Sequence, residues 1–536
     1  MSAAMNLISD HSYRHTTLAQ VASQLASSQP TEVAIVFDSG ATLSYGDAWN
    51  QSRLLASAMQ KAGLKPGDTL SFQLPNIVES VIVAIAASIC GLVINPIVPI
   101  YRGREVAFIL KDAQAKIVFI PGLYRQFNFP EMVEQLKSHL PLLEHVVCVG
   151  AENALPDGFS HFREWLSYGD ATDVDVAPVD PDDVKIILYT SGTTGNPKAV
   201  RHSHNTLAKA LDNGVSGWRL TDEDLMLMPS PVTHITGYVN GIELPFFTTT
   251  RSLLMEAWVV EKAIALIEKY GATTCVSATP FLQQLTDTCK AQGKSLPGFR
   301  LFACGGASVP PSLIYAATDV LKDCQAVRVY GSTEVPLVTV GFPEPANRQQ
   351  AAETDGRIYN YDVRIYDDNG ADLGSGVEGE IVVRGPAMML GYSDPDQQAA
   401  AFDADGFFKT GDVGKLLQSG ALVITDRKKD IIIRGGENLS AREIEEAILE
   451  HPDVVEVAVV AAPHARLGEG VAAFVVIDPN TVLGLATILD TLDKLGVAKQ
   501  KWPQHLELTS ALPKTASGKV QKELLRRQLI DAGLQL

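Results

Sequence analysis

Residues 184–200 read VKIILYTSGTTGNPKAV, a short apolar run rich in β-branched residues that leads into a loop of small and hydroxylated residues. The apolar run predicts a buried strand. In the loop, glycines free backbone N–H groups, Thr193 and Thr194 supply hydroxyl donors and Lys198 supplies a positive charge. We therefore predict a loop that wraps a polyphosphate at the end of a strand, where α/β sheets bind ligands. A simple connecting turn uses the same residue types and is the alternative.

The loop does not follow the Walker A pattern. Gly192 and Gly195 stand too close together, and Lys198 is followed by Ala199 rather than by the serine or threonine that holds magnesium. The sequence therefore disfavours a P-loop NTPase and indicates another class of nucleotide-binding protein.

Length and composition limit the possible functions. A chain of 536 residues with 46% hydrophobic residues predicts more than one domain. A net charge of -18 argues against a nucleic-acid partner, because phosphate backbones bind basic surfaces. The six cysteines include no CxxC pair, and the first residues lack the basic start and apolar core of a signal peptide. We therefore expect reduced thiols and a cytoplasmic location.

Residues 81–101, VIVAIAASICGLVINPIVPIY, are apolar over about the length of a membrane span. Gly91, Pro96 and Pro99 interrupt the segment, so we predict a helix that runs into a buried strand and no integral membrane segment.

The pattern of elements changes along the chain. From about residue 30 to 340, apolar strands alternate with segments of helical period, which predicts βαβ units and parallel sheets. Residues 357–425 show short strands and Gly/Asp turns, which predict a small antiparallel sheet or barrel. After the charged stretch 426–430, a helix and two strands predict a compact α+β domain.

Five further stretches contain residue types suited to nucleotide chemistry. Each also has a structural explanation, such as an ordinary turn, a solvated charged segment or a packed histidine. The stretches are SPVTHITG (230–237), VYGSTE (329–334), FKTGDVG (408–414), TDRKKDIIIRGGEN (425–438) and LPKTASGKVQKELLRRQL (512–529).

In this order, the loop and these stretches closely resemble the adenylate-forming superfamily of acyl-CoA synthetases, nonribosomal adenylation domains and luciferases. The resemblance extends from TLSYGDAW (42–49) to GKVQKELLR (518–526). It implies a multi-domain α/β fold with a large N-terminal domain (1–425) of two βαβ-type sheet subdomains and a small β-barrel. A hinge (426–430) around Lys429 would join it to a small mobile α+β domain (431–536).

The resemblance also implies an ATP site. The phosphate loop would hold the β- and γ-phosphates, Tyr330 would stack on adenine, and Asp412, assisted by Arg427, would bind the ribose hydroxyls. The implied ATP-binding residues are Thr190, Ser191, Gly192, Thr193, Thr194, Gly195, Lys198, Gly305, Gly306, Ala307, Tyr330, Gly331, Ser332, Asp412 and Arg427.

Catalysis would depend on three residues by the same resemblance. Thr333 would contact the α-phosphate, Glu334 would hold Mg²⁺, and Lys519 would be the catalytic lysine. A carboxylate must attack the α-phosphorus of ATP, so positive charge is needed where oxygen charge develops. The acid is already ionised at pH 7 and needs no side-chain base. The products would be an acyl adenylate and pyrophosphate, and the thiol of CoA would then displace AMP, passing Gly435 and Gly436.

The acid itself stays open between aliphatic, alicyclic and aryl types. SPVTHITGYVNG (230–241) contains no aspartate to pair with an amine, so a free α-amino acid is disfavoured. His234 near the gate, Tyr238 and Asn240 as wall residues, and Gly305 and Gly331 would form a mostly apolar pocket. NPIVPIYRGREVAFIL (95–110) resembles the medium-chain and cyclohexanecarboxylate type of CoA ligase.

Three other functions remain as alternatives. The acceptor is expected to be free CoA because the chain has no carrier domain after the Lys519 helix, but a separate carrier protein is an option. A luciferase-like oxygenase would use the adenylate with O₂. A non-catalytic nucleotide sensor would lack Lys519 or Glu334, and both are present. The oligomeric state is open, with a homodimer as one option.

Overall fold

The computed structural model describes residues 13–152, 154–190, 197–478, 481–515 and 519–536. In this part of the chain, two large mixed sheets, a small antiparallel sheet and a separate C-terminal sheet are packed with helices. The predicted α/β fold class with a separate C-terminal α+β region is confirmed.

The first third of the chain alternates helices with short strands. Thr17 begins the first helix with a reciprocal cap, in which its hydroxyl accepts from the amide of Gln20 and its own amide donates to the Gln20 side chain. The elements are α1 (Leu18–Ser28), β1 (Val33–Phe37), β2 (Thr42–Ser44), α2 (Tyr45–Lys61), β3 (Thr69–Phe72), α3 (Val78–Cys90), β4 (Val93–Pro96), α4 (Gly103–Asp112), β5 (Ala115–Pro121), β6 (Leu123–Tyr124), β7 (Phe127–Asn128), α5 (Phe129–Lys137), β8 (His145–Val149), β9 (Phe159–His161) and α6 (Phe162–Tyr168).

The apolar segment 81–101 forms most of α3 and all of β4, as predicted. Gly91 ends α3 in the left-handed conformation with φ 67°, which lets the chain turn into the strand. From Ser80 to Cys90 the helix is buried on all sides, in a hydrophobic core that contains residues of both large sheets. Within the described ranges, the structure contains no helix long and apolar enough to cross a membrane.

The next part contains the predicted phosphate-loop strand and a π-helical turn at Tyr238–Glu243. The elements are β10 (Val184–Thr190), β11 (Lys198–Ser203), α7 (His204–Trp218), β12 (Leu225–Met228), α8 (Ile235–Gly237), α9 (Leu244–Thr248), β13 (Arg251–Leu254), α10 (Val260–Tyr270), β14 (Thr274–Ala278), α11 (Thr279–Gln292), β15 (Leu301–Gly305), α12 (Pro311–Leu321) and β16 (Gln325–Arg328).

The remaining elements form the small sheet and the C-terminal region. They are α13 (Arg348–Glu353), β17 (Asp362–Tyr366), β18 (Gly379–Arg384), β19 (Gly391–Tyr392), α14 (Pro395–Ala401), β20 (Phe408–Leu416), β21 (Leu422–Arg427), β22 (Ile432–Arg434), β23 (Glu437–Leu439), α15 (Ala441–Leu449), β24 (Val454–His464), β25 (Gly468–Ile477), α16 (Leu485–Lys494), β26 (His505–Leu508) and α17 (Lys522–Asp531), with 3₁₀ turns at Pro345–Asn347 and Lys499–Lys501.

The two large sheets are mostly parallel. The seven-stranded sheet has the order β16-β15-β14-β12-β13-β1-β2 and is parallel except at β1–β2. The eight-stranded sheet has the order β19-β11-β10-β4-β3-β5-β8-β9, with antiparallel pairs at β19–β11 and β11–β10. The parallel strands of each sheet therefore end on a common edge, where α/β proteins bind ligands.

The expected β-barrel is an open sheet in the described residues. Its four antiparallel strands have the order β17-β18-β20-β21, and no pairing of β17 with β21 closes it. Short strands with turns predicted the antiparallel pairing. They did not determine whether the sheet closes into a barrel, because closure requires hydrogen bonds between the two outer strands.

The predicted hinge region begins inside a strand. β21 continues through Arg427, and a turn at 428–430 leads to β22. Arg526 of α17 forms an ion pair with Asp430 and donates to the carbonyl of Lys429 at 3.0 Å, so the C-terminal helix is fastened to this turn. Rotation of residues 431–536 about the turn stays a prediction.

Candidate active site

A cavity of about 150 Å³ opens at the carboxyl ends of β12, β14, β15 and β16. Most of its wall comes from the segments that directly follow these strands, and Lys519 enters from the C-terminal region. The lining residues are Ala210, Trp218, Ser230, Pro231, His234, Ile235, Thr236, Val239, Asn240, Val276, Ser277, Ala278, Phe281, Gly305, Gly306, Val329, Tyr330, Gly331, Ser332, Thr333, Pro336, Leu337 and Lys519.

Two predicted glycines line the cavity at points with no space for a side chain. A Cβ at Gly305 would lie 2.5 Å from the carbonyl oxygen of Val329, and one at Gly331 would lie 2.5 Å from the amide nitrogen of Leu337. Larger residues would push adjacent backbone segments apart. The cavity therefore has a wall of bare backbone, which a flat ligand can approach closely.

Lys519 places its side chain beside Gly306, with Cε 4.0 Å from the position that a Cβ at Gly306 would take. Burial lowers the pKa of Lys519 below its ordinary value, and the positive charge of Arg427 lowers it further. The carboxylates of Asp412 and Glu334 act in the opposite direction. The structure thus brings Lys519 within electrostatic range of four other predicted residues: Arg427, Asp412, Glu334 and the hinge residue Lys429.

Asp412, the predicted ribose ligand, contacts both Tyr330 and Arg427. Its Oδ2 accepts a hydrogen bond of 2.7 Å from the hydroxyl of Tyr330, and its Oδ1 lies 2.8 Å from Nε of Arg427. Asp412 and Arg427 are directly opposite each other on the antiparallel strands β20 and β21. Pairing of these strands therefore sets the carboxylate and the guanidinium side by side.

His202 is a neighbour of Thr333 that the sequence did not reveal. The buried ring lies with Nε2 2.7 Å from the carbonyl oxygen of Thr333 and Nδ1 3.1 Å from the hydroxyl of Thr206. Burial lowers the pKa of His202 to about 4, so the ring is neutral at pH 7 and donates from Nε2. The backbone that presents Thr333 is thereby fixed to β11.

Glu334 contacts a second residue that the sequence did not reveal. The hydroxyl of Tyr392 donates to Oε1 of Glu334 at 2.8 Å, and the amide of Met389 donates to the Glu334 carbonyl at 2.8 Å. Nζ of Lys198 lies 5.0 Å from the ring centroid of Tyr392. The predicted metal carboxylate and the predicted phosphate lysine therefore both contact one tyrosine, the first at its hydroxyl and the second at its ring.

The predicted phosphate loop is described only at its two ends. Ser191, Gly192, Thr193, Thr194 and Gly195 lie outside the described residues. Thr190 ends β10 and Lys198 begins β11, and these two residues are opposite each other in the antiparallel ladder. The ladder therefore brings the two ends of the loop together.

Of the residues predicted to form the acid pocket, His234 and Asn240 line the cavity and Tyr238 does not. Burial lowers the pKa of His234 to about 4, with a smaller contribution from the charge of Lys519. Asn240 donates from Nδ2 to the carbonyl of Thr236 at 3.0 Å. Tyr238 is fully buried in the core, with Nζ of Lys185 5.8 Å from its ring centroid. Tyr238 therefore packs in the core and is not among the residues that line the cavity.

Ala307, Lys429, Gly435 and Gly436 also lie outside the cavity lining in the described part of the chain. Ala307 is exposed just after Gly306, and Lys429 is in the turn after β21. Gly435 and Gly436 form the exposed turn between β22 and β23, with φ 62° and 89°. In the arrangement seen here, Lys519 and not the glycine turn faces the cavity.

The comparison with protein families matches most of the chain, in two segments. Residues 23–393 match the model of the AMP-binding enzymes, and residues 443–519 match the model of the AMP-binding enzyme C-terminal domain. The chain belongs to the AMP-binding enzyme family. The predicted enzyme class, an AMP-forming acid–thiol ligase, is confirmed.

Relatives and solved structures agree with this family membership. The AMP-binding enzyme is 34% identical over 523 residues to a medium-chain fatty-acid–CoA ligase of Escherichia coli (strain K12), covering 96% of this chain and 90% of that one. It is 31% identical to an indoleacetate–CoA ligase of Aromatoleum aromaticum, with 93% and 95% covered. The crystal structure of ATP-bound MatB from Rhodopseudomonas palustris superposes with a TM-score of 0.84 at 27% identity, covering 96% of this chain and 100% of that one.

The residues of this AMP-binding enzyme fit Mg²⁺ only as a companion of ATP. Mg²⁺ is typically bound by one or two carboxylates together with substrate phosphates. Glu334 offers one carboxylate, and it contacts the same tyrosine as Lys198, the residue that begins β11 after the phosphate loop. The described residues contain no group of three or more His, Cys, Asp or Glu side chains arranged to hold a metal ion. Glu334 would therefore bind the ion together with the nucleotide.

Proposed function

We propose that this AMP-binding enzyme is an ATP-dependent acid–CoA ligase. It would join a carboxylic acid to ATP, release pyrophosphate, and transfer the acyl group from the adenylate to the thiol of CoA. The observation that carries the proposal is the position of Lys519, which enters from the C-terminal region into the cavity formed by Gly305, Tyr330 and Thr333.

Several of the described residues would act in the first step, which forms the acyl adenylate. Asp412, oriented by Arg427, would accept hydrogen bonds from the ribose hydroxyls. The ammonium of Lys519 would stabilise negative charge on the α-phosphate and the attacking carboxylate as the bond forms. Mg²⁺ bound at Glu334 would neutralise charge on the phosphates.

The second step would use a different face of the C-terminal region. Lys519 is the residue that occupies the cavity, whereas Gly435 and Gly436 are exposed on a turn that does not line it. A rotation about the turn at 428–430 would withdraw the lysine and bring the glycine turn to the CoA thiol.

The acid class is proposed from the shape and chemistry of the wall. Trp218, Ile235, Val239 and Phe281 give the cavity an apolar side. Medium-chain, alicyclic and aryl acids all suit such a wall, and the relatives include ligases for a medium-chain fatty acid and for indoleacetate. We also infer a cytoplasmic location, because all six cysteines are buried free thiols.

The test is pyrophosphate release from ATP and Mg²⁺ with acids from acetate through octanoate to cyclohexanecarboxylate, benzoate and indoleacetate, with and without CoA. Sustained turnover that requires CoA, with formation of the acyl-CoA, would support the proposal, and the preferred acid would define the pocket. Release that stops after one turnover in the presence of CoA would indicate a carrier-protein acceptor. Failure to release pyrophosphate with any acid would contradict the proposal.

A further inference from the structure

Tyr392 is held rigidly at the edge of the eight-stranded sheet. It forms the two-residue strand β19 with Gly391, antiparallel to β11. Gln398 accepts a hydrogen bond of 2.8 Å from the Tyr392 amide, and Arg201 donates one of 2.9 Å to its carbonyl. Only 3% of the residue is exposed. Its side chain therefore has little freedom to move.

The side chain contacts two groups with opposite charges. The hydroxyl donates to Oε1 of Glu334 at 2.8 Å, and Nζ of Lys198 lies 5.0 Å from the ring centroid. The hydroxyl of tyrosine is ordinarily protonated at neutral pH, so it can donate this hydrogen bond.

We propose that Tyr392 is a positioning residue that orients the Mg²⁺-binding carboxylate of Glu334 and holds the phosphate lysine Lys198 without neutralising it. This inference rests on the proposed function for the ATP site that the two residues would form. Tyr392 itself would contact neither the reacting acid nor the α-phosphate.

The hydroxyl and the ring would have separate effects. A hydrogen bond to one oxygen of Glu334 restricts rotation of the carboxylate and presents the other oxygen to the metal. The ring attracts the ammonium of Lys198 through its π face. A carboxylate at the same position would pair with the lysine and reduce its attraction for phosphate, whereas an aromatic ring leaves the charge available.

Two variants separate these effects. Tyr392→Phe removes the hydroxyl and keeps the ring, whereas Tyr392→Leu removes both. We expect Tyr392→Phe to weaken Mn²⁺ binding to the enzyme–ATP complex by about tenfold, as for other residues that orient a metal ligand. Metal-free ATP binding should be unchanged in this variant and weakened in Tyr392→Leu.

The measurements are electron paramagnetic resonance of bound Mn²⁺ with ATP and no acid, and calorimetric ATP binding in EDTA. Tyr315→Phe is a matched control, because Tyr315 donates to Glu353 at 3.0 Å on the exposed surface outside the cavity lining. Both binding measurements should give wild-type values for Tyr315→Phe.

The possible results distinguish a positioning role of Tyr392 from a structural role and from failure of the proposed function. Wild-type Mn²⁺ affinity in Tyr392→Phe, or equal loss of metal-free ATP binding in both Tyr392 variants, would overturn the positioning role. A purely structural role would lower the melting temperature without selectively weakening Mn²⁺ binding. If Tyr392→Leu fails to fold, the Mn²⁺ affinity of Tyr392→Phe alone tests the positioning role. Absence of ATP binding in the wild-type protein would instead contradict the proposed function.

Discussion

Lys519 is the residue that we expect to act in the first proposed step and not in the second. Its amine lies in the cavity beside Gly306, and burial lowers its pKa, with Arg427 adding to the effect. The charged form is therefore stabilised mainly by the carboxylates of Asp412 and Glu334 and, when present, by ATP.

We expect Lys519→Ala to reduce adenylate formation by at least about a hundredfold, because a buried charge at the developing oxyanion is lost. Thioester formation from supplied acyl adenylate should be largely retained. Single-turnover measurements of the two steps provide the test, and Lys494→Ala, at an exposed lysine of α16, is the control. Equal loss of both steps would contradict this division.

His202 gives a second prediction at this scale, about pH. Its pKa falls from 6.5 in the unfolded chain to about 4 in the fold because of burial, so the unfolded chain binds the proton more readily. The contribution of His202 to stability is therefore complete above pH 6.5 and is lost as the pH falls towards 4. This pH-dependent contribution to the free energy of unfolding is roughly 3 kcal/mol.

The variant His202→Gln keeps a donor for the Thr333 carbonyl but cannot bind a proton. We expect its melting temperature to fall less than that of the wild-type protein between pH 7 and pH 5. Calorimetry at both pH values checks this, with His451→Gln, outside the cavity lining, as the control. A parallel fall in the two proteins would show that His202 does not titrate as expected.

At the level of elements, the π-helical turn Tyr238–Glu243 contributes some side chains to the cavity and others to the core. Val239 and Asn240 line the cavity, whereas Tyr238 and Glu243 point into the core. Glu243 forms a fully buried ion pair with Lys185 of β10, the strand that leads into the phosphate loop. The ion pair thus links the π-helical turn to the strand that precedes the predicted phosphate loop.

Breaking this buried pair should destabilise the fold. Burial lowers the pKa of Lys185 and raises that of Glu243, so each group depends on its partner to stay charged. We expect Glu243→Gln alone to lower the free energy of unfolding by about 3–5 kcal/mol. The double variant Lys185→Met/Glu243→Leu should regain most of this loss, because it leaves no unpaired buried charge.

Thermal melting and amide hydrogen exchange of residues 238–243 measure the effect. Glu268→Gln, which removes an exposed ion pair with Lys294, is the matched control and should change the melting temperature little. If the double variant is as unstable as Glu243→Gln, the loss does not come from an unpaired lysine.

At the level of the whole molecule, Asp355 connects the two regions that would move apart. Its Oδ1 accepts hydrogen bonds of 2.6 and 3.1 Å from Arg328 of β16, and Nη2 of Arg442 on α15 lies 3.9 Å from the same oxygen. The Arg442 contact crosses between the N-terminal and C-terminal regions and supports the arrangement with Lys519 in the cavity.

We expect Arg442→Gln to slow adenylate formation by about fivefold, because loss of roughly 1 kcal/mol lowers the population of this arrangement. The thioester step should not slow. Separate measurement of the two steps tests this, with Arg527→Gln, at an exposed arginine of α17, as the control. Equal slowing of both steps would show that Arg442 acts on stability rather than on domain position.

The sequence alone determined the alternation of strands and helices, the α3–β4 segment and the order of the motifs. Hydrophobic period and turn composition are local properties, so neighbouring residues suffice to predict them. The positions of Tyr330, Asp412 and Lys519 were predicted from motifs and from the family resemblance. Their meeting at one cavity depends on strands and a C-terminal region that are distant in the chain.

Only the tertiary structure decided the neighbours of these residues. His202 and Thr333 are 131 positions apart, and Tyr392 and Glu334 are 58 apart, so no local pattern links them. β19 has two residues, too few for a recognisable strand period. Tyr238 lies in a π-helical turn and packs in the core, whereas Val239 and Asn240 of the same turn line the cavity. Local composition selects the elements, and long-range packing selects which side chains share a site.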